Sequence, residues 1–531
     1  MTNQPLPLQA TGAFPNLFLD YISEQPALRQ FYDCFPAIEN FGAAIETKEF
    51  GTENRKILVE GLQRQYGRLQ NPSVLPDLTM LASPNTYTVT TGHQLNIFTG
   101  PLYVIYKIVT TLNLAKRLKA AYPDYNFVPI YWMASEDHDF AEIASFNLFG
   151  KKYKWETKQR GAVGRMNPHE LGGALDILPE RVPLFEQAYL KHQTLADAAR
   201  FYMNELFGAE GLICIDADER DFKKVFRPVL RDELLNRASA EKVAQTTTQL
   251  TELGYQPQIS GREINLFYLA DQLRERIIRT DDKAHFKVLN TDLVFTEAEM
   301  LHIVENEPEK LSPNVVLRPV YQETVLPNLA YIGGPSEVPY WLQLKGVFAH
   351  FNLPMPALMP RNFVLYIATT HQKRLEKLGV SVSDLFLDEV TLRQKFIGKI
   401  TTHTLDLNAE KQDFEELFER INQKAVAVDK TMEGVVQTQK ARLVAALQNM
   451  EKRIRRAEER HYETELGQLQ ALQNKLFPGG SLQERSDNVL NFLLNDATFI
   501  QKCLANLDPL AYQFNVLFED APISEIEPVP S

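Results

Sequence analysis

From Thr86 onward the chain alternates short apolar runs, turns and stretches of helical spacing, the rhythm of parallel βαβ units. The runs are TYTVTTG ending at Gly92, FVPIYWMA from Phe127, GLICID around Cys214, VVLRPVY from Val315, LAYIGG ending at Gly334 and PALMP ending at Pro360. Helical spacing follows the first run from about Pro101 through LYVIYKIVTTLNLAKRLKAA and precedes the third in LADAARFYMNELF. The first 80 residues mix aromatic-rich helical segments with polar turns, among them the amphipathic KILVEGLQRQYGRL from Lys56. The pattern predicts an α/β fold on a parallel sheet, with a core over residues 1–404. Two stretches break the rhythm, at about 150–185 and 217–310, and read as insertions that could wall a site; the second holds a hairpin around GREINLFYLADQL.

Near residue 405 the texture changes to charge-rich helix with almost no β character. Phe414, Leu417 and Ile421 keep a 3-4 spacing, as do Leu443, Leu447, Met450, Ile454, Ala457 and His461, and then Leu469, Leu472 and Leu476, which together make a coiled-coil seam. The phase shifts near Asp429, so residues 405–478 are expected to form an antiparallel hairpin of two helices, about 406–427 and 430–477. At 1.5 Å per residue the second would reach about 70 Å, a protrusion that calls for a second copy along the seam. Pro478-Gly479-Gly480 stops it, and residues 479–531 are expected to return to the core.

Composition narrows the function classes. The hydrophobic content of 44% and charged content of 23% are those of a globular protein, and the net charge of -12 over 531 residues argues against a broad nucleic-acid face. No stretch of about 18 apolar residues occurs, and MTNQPLPLQATGAF lacks the basic and apolar regions of a signal peptide, so a cytoplasmic protein without a membrane partner is expected. Cys34, Cys214 and Cys503 are far apart with no CxxC, which leaves neither a disulfide framework nor a zinc site, and all three read as structural.

Candidate chemistry collects at the ends of the apolar runs, where open α/β sheets bind their ligands. In TTGHQLNIFTGPLYVIYK, Gly92 and His93 end the first run, Thr99 or Gly100 can cap a helix and Pro101 suits its first turn. Backbone N–H groups after Gly100 would then favour a phosphate or carboxylate, with Tyr103 and Lys107 on one face of the helix; the plainer alternative is a simple cap. In SEDHDF, Glu136, Asp137, His138 and Asp139 make a crowded acidic turn in which a carboxylate can hold an ammonium and the imidazole can move a proton, unless the turn only caps the next helix. Histidine and carboxylate are metal-ligand types, but no HExxH-like spacing fixes a geometry and no metal is expected. AYIGGPSEVPYWLQLK repeats the strand–glycine–helix form, with Gly333 and Gly334 permitting close approach and Glu337, Tyr340 and Gln343 able to line one face, or else serving structure alone. Arg361 and Asn362 add a cation and an amide after PALMP, where a surface salt bridge is the rival reading. His461 and the basic RIRRAEER on the long helix read as structural.

The long ordered motifs TGHQLNIFTGPLYVIYK, VPIYWMASEDHDFAEI and LRPVYQETVLPNLAYIGGPSEVPYWLQLK, followed by PR, the coiled coil and LQER, resemble the cysteine-adding enzyme family of bacillithiol biosynthesis over nearly all the chain beyond residue 80. The resemblance implies a Rossmann-like core with connecting insertions, related in architecture to class I aminoacyl-tRNA synthetases, and a coiled coil used in homodimerisation. It implies a ligase that joins the carboxyl of L-cysteine to the amine of glucosaminyl-malate, the last step to bacillithiol. Asp137 or Asp139 would hold the cysteine ammonium, Lys107, Arg361 and the helix ends the malate carboxylates or phosphates, and His138 would take a proton from the attacking amine. Where the family pattern has TGQQ this chain has TGHQ, which fits His93 for binding rather than catalysis. TGPLY stands where the HIGH signature of class I ligases would fall but lacks both histidines, and there is no KMSKS. No cofactor is assigned, and ATP enters as a co-substrate through bond energetics and fold analogy alone. The alternatives are another class I-like nucleotidyl or aminoacyl transferase acting on a small amine, and a non-catalytic coiled-coil scaffold.

Overall fold

Five of the six apolar runs form one parallel sheet in a computed structural model that describes residues 1–519. They are β1 (Thr86–His93), β2 (Asn126–Met133), β3 (Ile213–Asp216), β4 (Asn328–Gly333) and β5 (Ala357–Pro360). The sheet order is 3-2-1-4-5, that of doubly wound dinucleotide-binding folds. Register sets Gly92 beside Trp132 and Thr91 beside Ile332, so the carboxyl ends of β2, β1 and β4 stop at one rim. All of β4 and every residue of β1 but His93 are buried, as expected of strands covered on both faces. Strand order reverses between β1 and β4; the connections leaving their carboxyl ends diverge, and a crevice opens there.

The sixth run differs from expectation. VVLRPVY is no strand; Arg318–Val325 is an α-helix with Pro319 in its first turn. Proline lacks the N–H that a central strand must donate, whereas in the first turn of a helix that N–H has no intrahelical acceptor.

The helices that bear on the crevice are α1 (Tyr103–Ala121), α2 (Leu195–Phe207), α3 (Arg220–Leu235), α4 (Arg318–Val325) and α5 (Glu337–Gln343). α1 follows β1 and packs on β1 and β2, and α2 spans LADAARFYMNELF with Thr194 accepting the Asp197 N–H as its N-cap. The first insertion holds a hairpin of Ser145–Leu148 and Lys151–Lys154 followed by short helical turns. The second holds α3, the helix Ala238–Glu252 and an antiparallel sheet that includes the expected hairpin, Leu266–Ala270 with Leu273–Arg279. Thr2–Leu6, Phe514–Phe518 and Phe363–Ile367 make a further small sheet; residues 520–531 of the expected C-terminal return lie outside the described residues.

Contacts divide the chain into Met1–Tyr366 with the chain from Ser481 on, and Ile367–Gly480. Residues 367–404, expected in the core, group with the coiled coil instead. The helix Thr369–Leu378 packs on α8 (Glu463–Leu476), and Gln473 Nε2 of α8 donates to the carbonyls of Leu385 (3.1 Å) and Leu387 (2.8 Å). The hairpin itself is α6 (Asn408–Val428) with α7 (Met432–His461). Pairing of Lys411 with Glu451 and of His403 with Glu458 moves in opposite directions along the chain, so it is antiparallel. The helix breaks at Tyr462, so α7 is about 45 Å long rather than 70 Å. Among the described residues no helix is long and apolar enough to cross a membrane.

Candidate functional site

The crevice at the ends of β1 and β4 is a cavity of about 520 Å³. Gly92 and His93 enter it from β1, Tyr103 from α1 and Asp137 from the turn after β2. Gly334, Glu337 and Tyr340 enter after β4, and Arg361 after β5. These residues, singled out separately in the sequence, share one space because four strands end at one rim.

A buried ion pair underlies this rim. Lys107, 1% exposed, donates from Nζ to the Gly92 carbonyl (2.8 Å) and lies 2.5 Å from Glu337 Oε1. Glu337 also accepts from the Tyr331 hydroxyl (2.8 Å) and the Gly334 N–H (3.2 Å). Burial lowers the Lys107 pKa; burial alone would raise that of Glu337, but the Lys107 ammonium outweighs it and holds the carboxyl below its ordinary value. Lys107 is thus engaged behind the wall of the cavity. Burial, then the Lys107 ammonium, push the His93 pKa down to about 3, so its imidazole is neutral. His93 Nε2 lies 3.4 Å from the Tyr103 hydroxyl, whose own pKa burial raises to about 12.

The same cavity holds cations that the sequence mostly did not reveal. Arg361 is 3% exposed and forms a two-pronged bond to Glu484 (2.9 and 2.6 Å). Its Nε, beside Gly334, has no partner among the described residues. Arg318 of α4 donates from Nη1 to Gln322 (3.1 Å), while its Nη2 is also unpartnered. Arg485 lines the same cavity. Arg318 was hidden by reading its segment as a strand; the proline after it was the available signal. Arg485 stands in the LQER that carries part of the family resemblance, but spacing could not place it in the site, because it reaches the rim from a segment more than a hundred residues further along the chain.

The acidic turn splits by function. Asp137 accepts from Gln94 Nε2 (2.5 Å), Arg274 Nη1 (3.1 Å) and the His138 N–H (2.7 Å). Burial alone would raise its pKa, but hydrogen bonding with His138, the Arg274 guanidinium and the Gln94 amide hold it well below the carboxylate range. Asp137 stands at the boundary with a second cavity of about 560 Å³, which His138 and Asp139 line, and Glu142, Arg274 and Asn314 line both spaces. Glu136 is paired with the buried Lys223, whose Nζ also reaches the Leu311 carbonyl (2.7 Å).

Gly100, Pro101, Gly333 and Asn362 do not line the cavity. Gly100 has φ +67°, and a Cβ there would fall 2.4 Å from the Asn96 Cβ. The turn is covered by the C-terminal segment: Asn488 Nδ2 donates to the carbonyls of Phe98 (2.6 Å) and Gly100 (2.7 Å), and the Leu102 N–H to that of Asp487 (2.7 Å). The anion expected at this helix start is replaced by the chain's own backbone. Gly333 gives its carbonyl to the Arg361 N–H (3.0 Å), and the Asn362 amide bonds the Asp508 carbonyl (2.8 Å) and Thr110 (2.9 Å). Burial pushes the thiols of Cys34 and Cys214 up to about 11 and about 12, away from the thiolate form. Among the described residues no group of three or more His, Cys, Asp or Glu is placed to hold a metal.

A doubly wound sheet with fixed cations and a fixed carboxylate at its switch point, in a chain that also carries a coiled-coil hairpin, defines a Rossmann-like binder of small charged molecules. Residues 1–362 match the family described as "Bacillithiol biosynthesis BshC, N-terminal Rossmann-like domain", and residues 364–519 the "C-terminal coiled-coil domain" of the same description. The chain is 42% identical to the "Putative cysteine ligase BshC" of Flavobacterium johnsoniae over 523 residues, covering 96% of this chain and 98% of that one. The protein of the same name from Cytophaga hutchinsonii is 40% identical over 510 residues, covering 96% and 97%. The chain belongs to the bacillithiol biosynthesis BshC family.

Proposed function

We propose that the chain is a ligase that joins the carboxyl of L-cysteine to the amine of glucosaminyl-malate, giving bacillithiol, and that it works in the cytoplasm as a homodimer. The observation that carries this reading is one cavity holding unpartnered donors of Arg318 and Arg361 together with an ionised Asp137. A malate moiety brings two carboxylates and cysteine brings an ammonium, which matches that division of charge. The relatives named as cysteine ligases support the ligase part of this reading.

In this reading Arg318, Arg361 and Arg485 take the malate carboxylates and Asp137 takes the ammonium, with Asp139 a second carboxylate toward the adjoining cavity. Lys107 acts from behind, as the counter-charge that keeps Glu337 ionised and Gly334 in place. Condensing a free carboxylate with an amine expels water and is unfavourable in water, so ATP is proposed as the co-substrate that activates the carboxyl.

Purified protein incubated with cysteine and glucosaminyl-malate, with and without ATP, tests this by mass spectrometry. The expected product is bacillithiol in the ATP arm alone. Absence of product in both arms refutes the ligase reading, and equal product in both refutes the role of ATP.

A further inference from the structure

Arg274 reaches the site from the antiparallel sheet of the second insertion, far from any motif at a strand end. It is 8% exposed and lies over the Phe267 ring at 4.0 Å. Each of its three nitrogens has an acceptor: Ser312 Oγ (3.2 Å), the Pro313 carbonyl (3.2 Å), and both Asp137 Oδ1 (3.1 Å) and His138 Nδ1 (2.7 Å).

A guanidinium has donors and no acceptor. At 2.7 Å from Nη1, His138 Nδ1 must present a lone pair, because a proton there would face the Arg274 N–H. The competing contact, Nδ1 to Asp137 Oδ1, is 3.5 Å and too long to win. The ring proton therefore sits on Nε2, which has no protein partner among the described residues, on a side chain that lines the adjoining cavity.

We infer that Arg274 is a positioning residue that fixes the tautomer of His138 with Nδ1 as the acceptor and the proton on Nε2, so that His138 offers substrate a hydrogen-bond donor to an acyl or carboxylate oxygen and is not a general base. This rests on the ligase reading for the identity of the oxygen, but the tautomer stands apart from it. The charged groups facing the ring are Arg274 and Asp137, with Arg262, Asp139 and Glu142 on the walls of the same space. To accept a proton at Nδ1 the ring would have to displace Arg274, whose guanidinium four other contacts hold in place. A neutral imidazole used as a donor to a reacting carbonyl is an established catalytic device.

The test is long-range 1H–15N correlation spectroscopy on full-length protein labelled with 15N-histidine, with His138→Asn identifying the signal. The expected result is a single tautomer protonated on Nε2 near neutral pH, and loss of that preference in Arg274→Met. A wild-type ring protonated on Nδ1, or on both nitrogens, overturns the inference without touching the ligase assay. Turnover gives the second readout. His138→Leu is expected to lose about 100-fold, while His138→Gln, which keeps a donor near the same place, recovers at least tenfold of that loss. A glutamine variant as inactive as the leucine one marks a base and overturns the inference; if the tautomer is confirmed in a protein that makes no bacillithiol, it is the ligase reading that fails.

Discussion

Lys107 Nζ and Glu337 Oε1 lie 2.5 Å apart under the rim of the sheet, joining the helix that follows β1 to the helix that follows β4. They stand on either side of the point where strand order reverses, so the pair spans the crevice the fold opens.

Removing Lys107 leaves the mostly buried Glu337 carboxylate without its counter-charge, and removing Glu337 strands the fully buried ammonium. Lys107→Met should therefore destabilise the unit that contains the sheet by about 3–5 kcal/mol. Lys107→Met with Glu337→Gln should recover a good part of that loss, because no uncompensated charge remains. Urea unfolding followed by tryptophan fluorescence reads this out, since Trp132 and Trp341 are buried in that unit. A double variant no more stable than Lys107→Met would show that the pair does not act as one.

The five strands were readable because parallel strands buried on both faces are continuous apolar runs, and Gly92 and Gly334 end theirs where the register later sets the rim. Arg361 was readable for the same reason, one residue past β5. Arg274, Arg318 and Arg485 were not, because their role depends on tertiary placement: one comes from an insertion strand, one from a helix mistaken for a strand, one from the chain after the coiled coil. Local spacing cannot show that Arg361 and Glu484 meet across 123 residues. Gly100 shows the converse: the helix begins at Tyr103 with Leu102, not Thr99 or Gly100, at its N-cap, and only the fold shows that the Asp487 carbonyl takes the Leu102 N–H expected to face an anion.

That occupation makes Gly100 a stability residue. With φ at +67° and an added Cβ 2.4 Å from Asn96, Gly100→Ala combines backbone strain of about 1–3 kcal/mol with a steric clash. The variant should unfold at lower urea, and Asn488→Ala, which removes donors from two buried carbonyls, should do so as well. Either variant unfolding at the wild-type midpoint would contradict the account of this turn.

For the cations the expected effect is on binding. Arg318 Nη2 has no partner among the described residues, so Arg318→Met deletes a substrate contact along with the bond to Gln322 and the packing of the guanidinium over Tyr331 and Trp341. A charged hydrogen bond contributes about 1.5–3 kcal/mol, so KM for the malate-bearing substrate should rise roughly 10–100-fold while KM for cysteine changes little. Steady-state kinetics with each substrate varied in turn distinguishes this from a general loss of fold, and an equal rise in both constants would remove Arg318 from the anion subsite.

His93 gives a pH dependence with a definite sign. Its pKa falls from an ordinary value near 6.5 to about 3 in the fold, because burial and the Lys107 ammonium disfavour the charged ring. Between those values the unfolded chain binds the proton and the folded one does not, so this group favours unfolding progressively as pH drops from about 6.5 to about 3. His93→Gln removes that term. The difference in urea midpoint between variant and wild type should move in favour of the variant as pH is lowered from 7 to 4.5, whatever the offset at pH 7. A difference that stays constant over that range would mean the ring is solvated and titrates normally.

The coiled-coil unit gives the last test. Leu417 and Ile421 on α6 and Leu443 and Met450 on α7 are 40–51% exposed at spacings of four and seven, which puts each pair on one face of its helix. Apolar residues repeated at that spacing and left open to water form a seam that a second copy of the hairpin can cover. Leu466, Leu469, Leu472 and Leu476 on α8 are buried within the chain and are not available for this. Wild-type protein is therefore expected to sediment as a dimer at micromolar concentration. Leu443→Glu with Met450→Glu places two charges in the seam and should give a monomer with an unchanged circular dichroism spectrum, since neither residue supports the fold of its own hairpin from an exposed position. A monomeric wild type, or a double variant that stays dimeric, would place the subunit interface elsewhere or remove it.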